Sequence, residues 1–193
     1  MTSEMAKKVE KKPINDLHPT ESRWFAVHTR NKSEKFVKRM LEKKNIHTYL
    51  PLQTVMRQYG RVRRLVEKPL INCYVFVHIV KESYVPIMET ENVVGFARVG
   101  PNLMAVRDEE IEIIRRVTLE DGIEVSATVD TFEEGDPIEI SAGSLIGMKG
   151  RIVRQEGKRK FQVELESLGM SLLITVDSAF LEKIGSSPGT MGN

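Results

Sequence analysis

Residues 68–77 read KPLINCYVFV, and this segment decides the fold because it joins a turn to the most apolar strand of the chain. Side chains of a strand alternate between its two faces. One face therefore carries Tyr74, Phe76 and His78, and the other carries Cys73, Val75 and Val77. The pattern alone leaves open which face packs on a core. The single cysteine, Cys73, is expected to be a buried small hydrophobe in this strand rather than a nucleophile.

Upstream of this strand the hydrophobic period changes twice. Residues 24–28, WFAVH, predict a strand, and residues 31–44 predict an amphipathic helix with a basic outer face. A short strand over 48–52 and a hairpin over 54–69, turning near Tyr59 and Gly60, lead back to the apolar strand. The N-terminal region therefore predicts strands and helices in alternation.

Downstream, residues 83–90 predict a short helix, 96–99 a strand and 107–117 a second amphipathic helix. The order is β, α, several strands, α, β and α. Such an order is typical of an antiparallel sheet flanked by helices, in the α+β class.

The last third of the chain has a different residue pattern, which predicts short strands separated by glycine turns. The predicted strands are residues 137–141, 149–155, 161–166, 171–176 and 180–184. Five short strands in about fifty residues predict a small five-stranded β-barrel. The chain is therefore divided into a flexible tail (1–22), the α+β domain (23–119), a linker (120–132), the barrel domain (133–185) and a second tail (186–193).

Charge is distributed unevenly along the chain. Residues 1–120 hold 22 Lys and Arg against 15 Asp and Glu, whereas residues 121–193 hold 7 against 12. A basic N-terminal half suits nucleic acid or an acidic surface, and an acidic C-terminal half suits protein, with ordinary solvated surfaces as the alternative. No segment approaches the roughly 18 apolar residues of a membrane-spanning helix, and the N-terminus has no apolar signal core, so we expect no membrane contact and a cytoplasmic protein.

Two segments resemble the NusG family of transcription factors. Residues 24–29, WFAVHT, with Glu34 in the next helix resemble the start of its N-terminal domain, and residues 68–77 resemble its signature, commonly PLFPGY(V/L)FV. VGF at 94–96 and GP at 100–101 match a later strand and turn, and residues 135–150 resemble the entry to a KOW barrel. The sequence INC at 71–73 replaces the usual FPG, which is expected to change the local backbone. This departure implies a specialised paralogue of the RfaH-like or UpxY-like kind, acting at specific operons.

The resemblance implies a non-enzymatic elongation and antitermination factor. It would bind the clamp helices of the largest RNA polymerase subunit, bridge the polymerase cleft and suppress pausing or termination. The matching positions for the polymerase contact are Tyr74, Phe76 and Ile71, with Tyr74 and Phe76 expected as exposed aromatic anchors. From the strand pattern alone, core packing of these residues stays open.

Basic residues at two places are candidates for nucleic-acid contact. Arg30 and Asn31 end the first strand, where family members that read displaced single-stranded DNA carry basic residues. The predicted hairpin carries Arg57, Arg61, Arg63 and Arg64, whose guanidinium groups can pair with phosphates and stack on bases. A partner implied here is non-template DNA; a solvated basic hairpin is the alternative.

In the barrel, Leu168 and Gly169 match the loop with which the family's housekeeping factor presents a phenylalanine to the Rho termination factor or a ribosomal small-subunit protein. Leucine keeps the apolar character and lacks the ring, which puts Rho binding in question. Ile146 and Met148, together with Leu145, are candidates for the same apolar rim, with strand packing as the alternative.

No segment has the residue spacing of the enzyme motifs considered. Residues 143–150, GSLIGMKG, lack the phosphate-loop pattern and lie among strands, where a KH loop would need helices. The four histidines are scattered without metal-ligand spacing, so neither a metal nor another cofactor is expected. The alternative function is a free-standing nucleic-acid-binding protein with a KOW or OB-like barrel, against which the acidic charge of the C-terminal half argues.

Overall fold

The computed structural model describes residues 13–119, 124–128, 135, 137–143, 145–155, 158–175, 179 and 181–183. Part of the predicted N-terminal tail is attached to the fold. Asn15 forms a bridge with Leu103, and the Asp16 carboxylate accepts the N–H of Ala105 over 2.9 Å. The predicted tail at 186–193 lies outside the described residues.

The N-terminal unit contains six strands and three α-helices in its described residues. They are β1 (Arg23–Thr29), α1 (Glu34–Lys43), β2 (His47–Tyr49), β3 (Leu52–Tyr59), β4 (Val62–Pro69), β5 (Tyr74–Ile79), α2 (Tyr84–Met88), β6 (Val93–Phe96) and α3 (Asp108–Leu119). Four of the strands form an antiparallel sheet in the order β2-β5-β1-β6. The predicted α+β architecture is confirmed, although β6 begins three residues before the strand expected at 96–99.

Each face of this sheet is covered, which answers the question that the strand pattern left open. On one face Val77 lies in a hydrophobic cluster with Leu41 of α1 and Ile87 of α2. On the other face Phe76 lies in a second cluster with Ile114 of α3. Alternate residues of β5 therefore belong to two different cores.

Strands β3 and β4 form a separate two-stranded ribbon. The register pairs Leu52 with Pro69 at the base and Tyr59 with Val62 at the tip, so Gly60 and Arg61 make the turn. Gly60 has a φ of 62°, which glycine adopts without steric cost. The predicted hairpin is confirmed, and its ribbon begins two residues earlier than expected.

The described residues of the C-terminal unit form a six-stranded antiparallel sheet. Its strands are β7 (Val125–Thr128), β8 (Pro137–Ile140), β9 (Lys149–Gln155), β10 (Lys158–Leu165), β11 (Met170–Ile174) and β12 (Leu181–Lys183), in the order β12-β8-β9-β10-β11-β7. The small all-β domain is as predicted, but the count of five strands is one too few. The additional strand, β7, lies inside the predicted linker, where four residues are too short for alternation to be recognised.

Among the described helices, none has the length and apolar character needed to cross a bilayer.

Candidate functional site

An aromatic surface lies on the face of the sheet that carries Phe76. Trp24 packs against His78 and His47, with ring centroids 4.9 and 5.2 Å apart. The guanidinium of Arg115, from α3, lies 5.7 Å from the Trp24 ring and 5.2 Å from the Tyr49 ring. Burial raises the pKa of the Tyr49 hydroxyl, while a hydrogen bond with Thr118 works in the opposite direction. Helix α3 therefore closes one end of this surface.

Of the three predicted anchors on this surface, one is accessible. Tyr74 is half-buried and lies 5.3 Å from the His28 ring. Phe76 is 0% exposed and Ile71 is 2% exposed, both in the cluster that includes α3. The expectation that Phe76 is exposed is wrong, because α3 and the residues before β5 cover this part of the sheet.

The turn before β5 contains the positions at which the sequence departs from the family signature. Cys73 takes the place of the usual glycine and has a φ of 63°, in the left-handed region that favours glycine. Its N–H donates to the buried Glu34 carboxylate over 2.7 Å, and its carbonyl accepts the N–H of Thr29 over 2.8 Å. The replacement therefore keeps a glycine-like backbone instead of changing it. Cys73 precedes the strand and is half-buried rather than part of the core; desolvation, aided by Glu34, raises the pKa of its thiol.

Helix α3 also contacts the C-terminal unit. The carboxylate of Glu110, which is 2% exposed, accepts the Ser167 main-chain N–H over 3.2 Å. Arg107 lies 2.9 Å from Glu110 and 3.2 Å from Glu166, and the hydrogen bond to Glu110 raises the pKa of Arg107. Arg116 donates to the carbonyl of Ile146 over 2.8 Å. The outward side of α3 is therefore a contact surface, which the sequence pattern did not predict.

The candidate partner residues of the C-terminal unit divide into two groups. Ile146 is 57% exposed, Leu168 is half-buried, and Gly169 is exposed with a φ of 62° that closes the preceding turn of 3-10 helix. Met148 and Leu145 are each 3% exposed, so their interpretation as rim residues is wrong and they belong to the core. Ile146 and the turn that ends at Leu168 both adjoin α3.

Basic and amide side chains meet in a cavity of about 640 Å³ between the ribbon, the start of α1 and β7. Asn31 and Arg57, two of the predicted nucleic-acid residues, line it together with Lys32, Lys35 and Lys68. The sequence pattern did not single out these lysines: Lys32 and Lys35 become neighbours of Arg57 only when the ribbon packs beside α1, and Lys68 lies on the ribbon strand β4. Glu67 pairs with Lys35 over 3.1 Å, so the cavity is not uniformly basic.

The other predicted nucleic-acid residues lie apart from this cavity. Arg30 is exposed, and its N–H donates to the carbonyl of Asn92 over 2.9 Å. Arg61, Arg63 and Arg64 are exposed at the distal end of the ribbon. The structure thus separates one candidate cavity from one basic ribbon tip. Within the described ranges, no group of three His, Cys, Asp or Glu side chains could hold a metal ion.

Comparison with known proteins gives sequence matches to one family and a similar fold among solved structures. Residues 22–115 match the NusG family, described as transcription termination factor nusG. The chain is 26% identical over 165 residues to the transcription termination/antitermination protein NusG of Streptococcus pyogenes serotypes M3 and M1, covering 80% of this chain and 92% of each relative.

A solved structure titled as domain interaction in Thermotoga maritima NusG matches with a TM-score of 0.53 and 21% identity, over 85% of this chain and 98% of that one. At this identity the match supports the fold. Residues 22–115 of this chain are therefore a domain of the NusG family.

Proposed function

We propose that the chain is a transcription elongation and antitermination factor that binds RNA polymerase and catalyses no reaction. The observation that carries the proposal is the NusG domain over residues 22–115. Support comes from relatives named transcription termination/antitermination protein, which the chain matches over most of their length. The restriction to specific operons, expected from the departures in the signature, is part of the proposal.

The polymerase contact is proposed on the aromatic surface of the sheet. Binding of the clamp helices requires a groove that contains a large apolar side chain. Aromatic residues are common binding hot spots at such interfaces. Among the three predicted anchors Tyr74 is the accessible one, and its ring lies 5.3 Å from that of His28. Phe76 and Ile71 support this surface from within the core, because both are buried.

The proposed mechanism is a shift between polymerase conformations. A factor that bridges the cleft and binds the closed, elongating state more tightly than the paused state raises the population of the former. A preference of about 1.4 kcal/mol is enough for a tenfold shift. This role requires a binding surface and no catalytic group.

Two further contacts belong to the proposal. The cavity lined by Asn31 and Arg57 is proposed to hold a phosphate of the displaced non-template strand, because basic and amide groups converge there. Ile146 and Leu168 are proposed to bind a second protein, Rho or a ribosomal small-subunit protein. That binding competes with α3, whose Arg116 hydrogen-bonds to Ile146.

The test is co-purification of the full chain with RNA polymerase in the presence of nuclease, followed by a pausing assay on reconstituted elongation complexes. Retention with nuclease and shorter pauses are expected. Tyr74→Ala is expected to reduce retention, while Tyr74→Phe, which keeps the ring, serves as the matched control. Loss of the wild-type chain on nuclease treatment would instead support the free-standing nucleic-acid-binding protein.

A further inference from the structure

The β3–β4 ribbon has two chemically different faces. On one face, the cross-strand pair Met56 and Leu65 is followed towards the tip by the pair Gln58 and Arg63. Met56 is 63% exposed and Leu65 is 68% exposed, values unusual for large apolar side chains in direct opposition. Val55 and Val66, a pair on the opposite face, are half-buried. The face with Met56 and Leu65 is thus the one open to a ligand.

The positive charge of the ribbon indicates that its ligand is anionic. Arg57 and Arg64 are directly opposite each other, a like-charge arrangement that destabilises an isolated ribbon. In the part of the chain that the structure describes, neither forms an ion pair, nor do Arg61 and Arg63. These arginines lie on both faces and at the turn, so positive charge surrounds the tip. A ligand with anionic groups on two sides matches this distribution.

We propose that this ribbon enters the major groove of duplex DNA with the Met56, Leu65, Gln58 and Arg63 face towards the base edges. The major groove is about 12 Å wide and admits a two-stranded ribbon, with phosphate backbones at its edges for Arg61 at the turn and Arg64. The inference rests on the proposed function and assigns the Met56 and Leu65 face of the ribbon to duplex DNA, while Arg57, on the opposite face, stays part of the cavity proposed for the single strand.

The side chains on the open face match the chemistry of base edges. Glutamine contacts adenine through two hydrogen bonds, arginine contacts guanine in the same way, and apolar side chains contact the thymine methyl group. Gln58 already donates to the Gly60 carbonyl over 2.9 Å, and its amide still offers an oxygen and a second N–H. Successive pairs on one face are about 7 Å apart, which is close to two base-pair steps. The spacing of the side chains on this face therefore matches a few consecutive base pairs of DNA.

An acidic protein surface is the competing ligand, because the exposed apolar pair could also dock a polypeptide. Duplex DNA is favoured by the charge of the ribbon. Residues 52–69 carry five Lys and Arg against one Glu, and that Glu67 is paired with Lys35. A ribbon that bound only protein would not need arginines on both faces and at the turn.

The test measures binding of the full chain by fluorescence anisotropy to duplexes selected from a randomised library, and to the corresponding single strands. We expect an enriched sequence and at least tenfold tighter binding to duplex. Gln58→Ala should reduce discrimination at one base pair by about 5- to 150-fold without changing the slope of affinity against salt. The double substitution Arg61→Ser and Arg64→Ser, outside the cavity, should lower that slope by about 0.9 for each lost contact, whereas exposed Arg39→Ser is the matched control.

The inference would be overturned by equal affinity for single strands, by selection without an enriched sequence, or by unchanged duplex binding of both sets of variants. The double substitution Met56→Ser and Leu65→Ser distinguishes a DNA ligand from a protein ligand on this face. If it loses polymerase binding but keeps duplex affinity, the face docks protein and the DNA assignment is wrong. Polymerase co-purification of the wild-type chain is measured in parallel, so that failure of the proposed function is seen independently of duplex binding.

Discussion

The main-chain N–H of Ser167 donates a hydrogen bond of 3.2 Å to the carboxylate of Glu110, joining the C-terminal sheet to helix α3. Glu110 is 2% exposed, and Arg107 lies within 2.9 Å of it. An acidic residue in the first turn of a helix ordinarily serves the helix alone. Here it also satisfies a buried donor of another unit, so removing it should loosen the contact between the two.

We predict that Glu110→Ala accelerates hydrogen exchange at the Ser167 amide. The substitution leaves a buried N–H without its acceptor, which costs about 1–3 kcal/mol. Exchange measured by NMR or mass spectrometry should increase by about 5- to 150-fold if opening of this contact controls exchange. The neighbouring substitution Glu109→Ala removes an exposed carboxylate and is the control. Unchanged protection of Ser167 would show that this hydrogen bond does not hold the units together.

The two aromatic residues of β5 should respond differently to truncation. Phe76 is 0% exposed, so Phe76→Ala is expected to lower the free energy of unfolding by about 3–5 kcal/mol. Tyr74 is half-buried at the surface, so Tyr74→Ala should leave the domain folded and weaken polymerase binding by about 2 kcal/mol, or roughly 30-fold. Urea unfolding and polymerase titration measure the two effects. A folded Phe76→Ala variant with reduced polymerase affinity would restore its role as an exposed anchor.

The sequence predicted the elements whose periodicity is strong and could not predict which surfaces would cover them. Helix α1 follows from a local period of 3.6 residues and lies within the predicted segment 31–44, and strand β5 follows from local alternation. The burial of Phe76 depends on α3, which lies more than thirty residues later in the chain, so no local pattern contains it. For the same reason Lys32 and Lys35 were not expected beside Arg57, and the choice between rim and core stayed open for Met148, which the structure places in the core.

Position Cys73 offers a test of backbone strain. We predict that Cys73→Gly raises the free energy of unfolding by about 1 kcal/mol, because the left-handed conformation at a φ of 63° costs a non-glycine residue about 1–3 kcal/mol. Greater freedom of glycine in the unfolded chain offsets part of this gain. Chemical denaturation measures the change. Asn72→Gly, at an exposed neighbour outside the left-handed region, should be destabilising, and a destabilised Cys73→Gly variant would refute the strain argument.

The last prediction concerns β7 and the proposed division of the chain. Val125 is 6% exposed, and β7 pairs through all four of its residues with β11, whose Leu172, Leu173 and Ile174 are 0% exposed. A fragment of residues 121–185 should therefore be more stable than one of residues 133–185, which lacks this edge strand. Loss of Val125 burial alone costs about 1.5–3 kcal/mol, enough to lower the melting temperature of so small a domain by about 10 °C. Thermal unfolding followed by circular dichroism compares the two fragments, and Val125→Ser in the longer fragment separates loss of the side chain from loss of the strand. Equal melting temperatures for the two fragments would mean that β7 contributes nothing to the sheet, and the predicted boundary at residue 133 would then stand.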